Sequence, residues 1–294
     1  MTSSRPFLFG TAGPWTVALA TLATAPFTAA GFAQDPPRRI ASLNLSADEV
    51  LSAILPPSRL VGVTRWADDP ESSNVVGRVP SSARRFPKLD LEQLVDLRPD
   101  LVVVSEYTDA DVQRLLEQSG VRVHRMQGLA SMAGVRQAIL DLGRAVHEED
   151  AAAGVVRDYD AKLADVARRL EGAPRPRVLY WSGGMTAGAG TAIASLIECA
   201  GGVNVGGELG VAGIAPPGAE RAFMSDPDVV LVTTWPDAAA SVRAHPLLGA
   251  LRAARENQVL AMPNKLLVAL SQYSADACRD LASRLHPGRF GDPR

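Results

Sequence analysis

The chain is poor in the residues that most often carry chemistry. Its 294 residues include two cysteines, four histidines and only 5% aromatic residues. The histidines, His124, His147, His245 and His286, are scattered, and a zinc or manganese site would need several converging His and carboxylate ligands. No metal site is expected, and each histidine is read as a surface or strand-end residue. No window is rich in Lys and Arg, and the formal net charge is −2, so nucleic acid is not an expected partner. No Gly-Lys-Ser/Thr follows a glycine-rich loop, which removes the nucleotide P-loop. There is no Gly-x-Ser-x-Gly elbow and no Cys–His pairing that would suggest a nucleophile. No proline interrupts residues 127–173.

One long apolar stretch does occur, at the N-terminus. Residues 1–33 hold a single charge, Arg5, followed by Trp15–Ala23 and then small residues. This pattern predicts a secretory signal peptide over 1–33, cleaved near Ala30 or Ala33. Pro14 and Pro26 bound the run and leave it short of the ~20 residues a membrane span needs, which disfavours the alternative of a transmembrane anchor. No cysteine lies near the cleavage region for lipid attachment. The expectation is an exported, periplasmic protein that meets the membrane only through a partner. In an oxidising compartment Cys199 and Cys278 can form a disulfide; two buried free thiols are the alternative.

What the chain has in abundance is self-similarity. Leu91-Glu92-Gln93-Leu94-Val95-Asp96-Leu97-Arg98-Pro99-Asp100-Leu101-Val102 is echoed by Ala219-Glu220-Arg221-Ala222-Phe223-Met224-Ser225-Asp226-Pro227-Asp228-Val229-Val230. Glu92 and Glu220, like Pro99 and Pro227, stand 128 residues apart, and the same offset pairs Tyr107 with Trp235 and Asp109 with Asp237. Two similar halves commonly meet at a cleft, and clefts bind ligands.

Strand and helix signals alternate along both halves, which argues parallel sheets. Ile40–Leu43 reads as a strand. Ser46 with Glu49 three residues on forms a capping box for the helix that follows. Leu60–Val63 is the next strand, and residues 65–88 form a long polar loop of the kind that is often functional. Leu101–Val104 and Val121–Met126 are further strands. Helical spacing then continues through Val135, Ile139, Leu142, Val146, Val155, Tyr159, Leu163, Val166 and Leu170. In the second half, a strand over Val178–Trp181 leads into the glycine-rich run Gly183–Gly190 and a helix over Thr191–Ala200. A strand at Gln258–Met262 and a final helix over roughly 267–285 close the pattern. The fold expected is α/β, two Rossmann-like lobes with parallel-rich sheets joined by one long interdomain helix. The boundaries are 34–145 for the N-terminal lobe, 146–172 for the helix and 173–290 for the C-terminal lobe.

From Leu91-Glu92, Arg98-Pro99-Asp100-Leu101-Val102, Thr186-Ala187-Gly188-Ala189-Gly190-Thr191, Cys199-Ala200-Gly201-Gly202-Val203-Asn204 and Leu285-His286-Pro287, the chain resembles the periplasmic substrate-binding proteins of ABC importers for ferric siderophores, haem and cobalamin. The resemblance covers about residues 38–287. It implies a monomeric, non-catalytic carrier with no cofactor of its own, whose ligand is a large metal chelate, a cobalamin-type corrinoid or a ferric siderophore. It further implies that Glu92 and Glu220 dock onto arginines of an ABC permease dimer; the plainer reading is two acids favoured by the helix dipole. The placement of Cys199 and Cys278 resembles a cysteine pair of cobalamin-binding members.

Ligand contacts in such proteins come from loops at the carboxyl ends of strands. The candidates are Asn44, Trp66, Arg84, Arg85, Phe86, Tyr107, Trp181 and Trp235. Tyr107 and Trp235 follow apolar strands at equal distance and are expected to face each other. For Trp181, core packing is an equal alternative. Arg84 and Arg85 could hold an anionic chelate or form a solvated pair. No tyrosine occurs between residues 65 and 106, where haem-binding members often supply one. The rival readings are a haem-binding member of the same family, a metal chelatase of similar two-lobed plan, and an exported adaptor that binds a protein.

Overall fold

A computed structural model describes residues 35–87, 91–234 and 237–291. The expected signal peptide, residues 1–33, and Trp235 lie outside the described residues. No helix among the described residues is long and apolar enough to cross a membrane.

The N-terminal lobe is built on strands β1 (Ile40–Ser42), β2 (Leu60–Thr64), β3 (Arg84–Phe86), β4 (Leu101–Ser105) and β5 (Arg122–Met126), all parallel, in the order β3-β2-β1-β4-β5. Helices α1 (Leu45–Ile54), α2 (Leu91–Asp96) and α3 (Ala110–Gln118) alternate with them. Strand β4 is buried at all five positions, because helices cover both faces of the sheet. Side chains divide with period two: Ile40, Leu101 and Val103 join one core, while Ala41, Val102 and Val104 join Phe86, Leu94 and Leu116 on the other face.

Two helices follow, α4 (Met132–Val146) and α5 (Glu149–Arg169). They are separated at His147, whose left-handed φ of 57° ends α4. Gly143 lets α5 come close, since a Cβ there would stand 2.4 Å from the Ala152 Cβ. At 21 residues α5 is about 31 Å long. Its first half places Val156 and Tyr159 in the N-terminal core, and its last turns place Val166 in the C-terminal core. The helix is thus anchored in two cores at once.

The C-terminal lobe adds β6 (Arg177–Tyr180), β7 (Thr186–Ala187), α6 (Ala192–Cys199), β8 (Val203–Asn204), α7 (Val205–Glu208), β9 (Ile214–Ala215), α8 (Ala219–Met224), β10 (Val229–Thr233), α9 (Ala238–Ala244), α10 (Arg252–Arg255), β11 (Val259–Met262), α11 (Asn264–Leu267), α12 (Ser274–Leu285) and α13 (Pro287–Phe290). Its parallel sheet runs β11-β10-β6-β8, and β7 pairs antiparallel with β9 in a separate ribbon. The same two-sided division recurs, with Val178, Val229 and Leu231 on one side and Leu179, Val230 and Val232 on the other. Cys199 at the end of α6 is bonded to Cys278 on α12, with Cα atoms 5.8 Å apart.

The sequence echo has a structural cause. Arg98 and Asp226 both take left-handed φ angles, 44° and 38°, directly before Pro99 and Pro227, where the right-handed helical conformation is disfavoured and the helix cannot continue. One residue past each proline, an aspartate grips the incoming strand. Asp100 Oδ2 accepts from the Arg38 and Arg39 amides at 2.7 and 2.9 Å, and Asp228 Oδ2 accepts from the Arg177 amide at 2.8 Å. The guanidinium of Arg39 donates to the carbonyls of Leu97 and Arg98, and that of Arg177 to those of Ser225 and Asp226. Each Pro-Asp pair is thus a joint between a helix end and two adjacent strands.

Three expectations are corrected, the last in part. The cap of α1 is Asn44, not Ser46: its Oδ1 accepts from the Ala47 amide at 2.9 Å. Glu49 is not a capping-box acid but lies in the interior at 2% exposure. The final helix does not run from 267, because residues 268–273 are non-helical between α11 and α12. The histidines divide: His147 is exposed, as expected, His124 and His245 are half-buried, and His286 is buried. His147, His245 and His286 each occupy a helix C-cap, and His124 is half-buried within β5.

Candidate functional site: a cleft at the carboxyl ends of the strands

In both sheets the loops after the strands are the places where side chains leave the layered core. After β4 comes Tyr107, 62% exposed. It joins Thr191 and Ile193 at the start of α6, Ile214 on β9, and Leu267, Val268 and Leu270 of the segment around the end of α11. Together with Gly190, Ala192 and Gly213 these enclose a cavity of about 350 Å³ that draws on both lobes. No charged side chain among the described residues lines it. Ile214 and Val268 are 57% and 45% exposed, an unfavourable position for aliphatic groups unless something covers them. Burial, reinforced by the neighbouring Glu106 carboxylate, raises the Tyr107 phenol above its ordinary value.

A second cavity, of about 340 Å³, opens where β1, β2 and β3 end. Leu43, Asn44, Thr64, Trp66, Phe86 and Pro87 line it. Trp66 is 44% exposed, and the Arg65 guanidinium lies 4.2 Å from its ring centroid, so one ring face already has a cation on it. Asn44 uses Oδ1 as the helix cap, while its Nδ2 is buried without a hydrogen-bond partner among the described residues. Behind this wall Asp48 is fully buried. It accepts from the Thr64 amide at 3.1 Å and the Thr64 hydroxyl at 2.5 Å. Burial pushes its carboxyl up to about 7, against the lowering effect of those bonds.

The sequence candidates divide by their surroundings. Tyr107, Trp66 and Asn44 face a cavity. Phe86 lines one too, but at 4% exposure its ring is a floor and not a free stacking surface. It rests on Gly62, where any Cβ would come within 2.6 Å of Cε2. Trp181 is corrected to a core residue: at 8% exposure it packs with Leu179, Val205, Val230 and Val232. Arg85 is corrected as an anion binder. Its guanidinium makes a double contact with Asp68, at 2.8 and 3.1 Å, and donates to the carbonyls of Pro80 and Ala83, which folds the 65–83 loop around it. Asp68 is correspondingly held below the usual carboxylate range. Arg84 is exposed and donates to Gln93 Oε1 at 2.9 and 3.1 Å. The expected pairing of Tyr107 with Trp235 falls on a residue outside the described set.

Glu92 and Glu220 are both exposed, in the first turns of α2 and α8. Neither has an ion-pair partner among the described residues. One turn on, each helix shows an apolar side chain to solvent, Val95 at 49% and Phe223 at 37%, while the residues between, Leu94 and Ala222, are buried.

Sequence reasoning missed the aliphatic wall formed by Ile193, Ile214, Val268 and Leu270. The sequence reading placed Leu267–Leu270 inside the final helix, and Ile193 inside the helix over Thr191–Ala200, and singled out none of them.

The comparisons with known proteins agree with this architecture. The periplasmic binding protein family matches residues 40–266. A cobalamin-binding protein of Halobacterium salinarum is 31% identical over 201 residues, 66% of this chain and 53% of that protein. The chain therefore spans about half the length of the curated relatives it matches. A periplasmic haem-binding protein of Roseiflexus sp. RS-1, in apo form, superposes with a TM-score of 0.73 at 22% identity, covering 86% of this chain and 99% of that one. A periplasmic haem-binding protein of Pseudomonas aeruginosa gives 0.71 at 25% identity over 88% and 95%. The family match takes in both sheets and the two helices between them, and the chain belongs to the periplasmic binding protein family.

Proposed function

We propose that the protein captures a cobalamin-type corrinoid in the cleft between its lobes and delivers it to an ABC importer. The observation that carries this reading is the aliphatic and aromatic lining, uncharged among the described residues, of the cavity around Tyr107, Ile214 and Val268. A corrinoid presents broad apolar edges and neutral amides, which suit such walls. A ferric catecholate or carboxylate would call for free cations. Arg85 is spent on Asp68, and Arg84 is engaged with Gln93. The similarity to a cobalamin-binding protein points the same way. Haem ligation by tyrosine uses the phenolate, and Glu106 beside Tyr107 works against that form. For delivery, Glu92 and Glu220 are the free carboxylates at matching places on the two lobes, suited to registering a two-fold partner.

The test is a titration of the purified protein with cyanocobalamin, cobinamide, haem and a ferric siderophore, read by tryptophan fluorescence and melting temperature. Saturable quenching by the corrinoids is expected, with a stabilisation of about 2.7 kcal/mol at a hundredfold excess over Kd. Binding of haem or siderophore with no response to either corrinoid would refute the ligand assignment.

A further inference from the structure

Residues 264–273 follow the last strand of the C-terminal lobe, yet after Asn264, which accepts from Thr233 of β10, polar groups at Lys265, Ser271, Gln272 and Tyr273 are held by the N-terminal lobe. The Ser271 hydroxyl donates to the Glu49 carboxylate of α1. Gln272 Nε2 donates to the Glu49 carbonyl at 2.9 Å. The Lys265 carbonyl accepts from Asn74 Nδ2 at 2.9 Å, and the Tyr273 hydroxyl accepts from Arg78 at 2.9 Å. Glu49 is the centre of this set. Its Oε1 also accepts from the Asn74 amide and Nδ2, each at 2.9 Å, so one carboxylate joins α1, the 73–75 loop and residue 271.

A buried carboxylate without an ion-pair partner among the described residues is costly to keep unless its hydrogen bonds compensate. An apolar residue would pack α1 at lower cost. What only an acceptor can do here is hold the 268–273 stretch away from the helical path that its sequence favours. That stretch presents Val268 and Leu270 to the cavity, beside Leu267 at the end of α11.

We propose that Glu49 is a positioning residue of the binding cleft, fastening the Val268–Leu270 wall to the N-terminal lobe although the chain delivers that wall from the C-terminal one. This rests on the reading of the cavity as the ligand site. The wall then moves with α1, while the opposite side, residues 190–193 with Gly213 and Ile214, moves with the C-terminal sheet when the lobes shift.

The experiment uses the full chain with Glu49→Ala, Ser271→Ala and the double variant. Amide hydrogen exchange is measured without ligand, and cyanocobalamin affinity separately. Each single variant is expected to speed exchange across residues 266–272 about tenfold or more, with β6 and β10 unchanged, and to weaken cyanocobalamin binding by about tenfold. The double variant should add little to either, because both changes cut one tie. A uniform rise in exchange, or additive losses in affinity, would reduce Glu49 to a general stabiliser and overturn the proposal. If Glu49→Ala fails to fold, Ser271→Ala carries the same test, since it leaves the carboxylate its two bonds from Asn74. Failure of the parent protein to bind cyanocobalamin would refute the ligand reading alone, because the exchange measurement needs no ligand.

Discussion

The two lobes share a plan and differ in what they keep inside. Both have a central five-residue strand buried at every position, and both have the Pro-Asp joint that ties a helix end to the sheet. The C-terminal lobe closes its core covalently, with Cys278 at 0% exposure bonded to Cys199. The N-terminal lobe closes its core with two buried acids, Asp48 and Glu49, at 0% and 2% exposure. A disulfide stabilises at any pH that leaves it oxidised. Buried carboxyls make stability depend on proton concentration. One scaffold thus has a half sensitive to reductant and a half sensitive to pH.

The sharpest way to break this contrast is at the cysteines. The pair closes a loop of 79 residues, for which the chain-entropy estimate is about 4 kcal/mol. Cys199→Ala with Cys278→Ala, or reduction of the parent protein, should lower the melting temperature. Faster exchange should begin in α6 and α12 and reach β1 to β5 only on global unfolding. Equal loosening of both sheets would mean that the staple serves the whole molecule.

The next effect belongs to Asp48. Its carboxyl rises from an ordinary 3.8 to about 7 because burial penalises the charged form. Between about pH 4 and 7 the unfolded chain has released this proton and the folded chain still holds it. Stability therefore falls as pH rises through that window and levels off above it. Glu49, also raised by burial, adds to the slope in the same direction, and its charge further disfavours ionisation of Asp48. Asp48→Asn keeps an acceptor for Thr64 and cannot ionise. It should flatten the urea-derived stability profile between pH 4 and 7 and stabilise the protein at pH 7.5, on the order of 3 kcal/mol. An unchanged slope would place the charge elsewhere.

These two predictions also mark how far the sequence could be read. The sheets were legible because Leu101–Val104 and Val229–Val232 are unbroken apolar runs, as a parallel sheet covered on both faces requires. The glutamates were legible because a repeat puts them in register. Asp48 and Glu49 were not, since their spacing after Ser46 satisfies a local rule for helix starts that long-range burial overrides. The 268–273 wall was missed for the same reason: its helical spacing is genuine, and hydrogen bonds from α1 and the 74 loop outcompete it. Arg85 looked available for an anion because nothing local announces Asp68, 17 residues earlier, as its partner.

The smallest expected effect lies on the surface, where α2 and α8 match position for position until their apolar members are compared. Glu92 and Glu220 are equivalent, but α2 continues with Val95 and Asp96, and α8 with Phe223 and the 82%-exposed Met224. If the acids set register on a two-fold importer, Glu92→Arg and Glu220→Arg should each slow corrinoid-stimulated transport in reconstituted vesicles by about tenfold, and leave cyanocobalamin affinity unchanged. The apolar neighbours should then separate the lobes. Phe223→Ser removes more contact area than Val95→Ser, so it should weaken coupling severalfold where Val95→Ser is nearly silent. Equal effects from both serine variants would mean that the importer reads only the charges, and that the larger apolar face of α8 serves no part of docking.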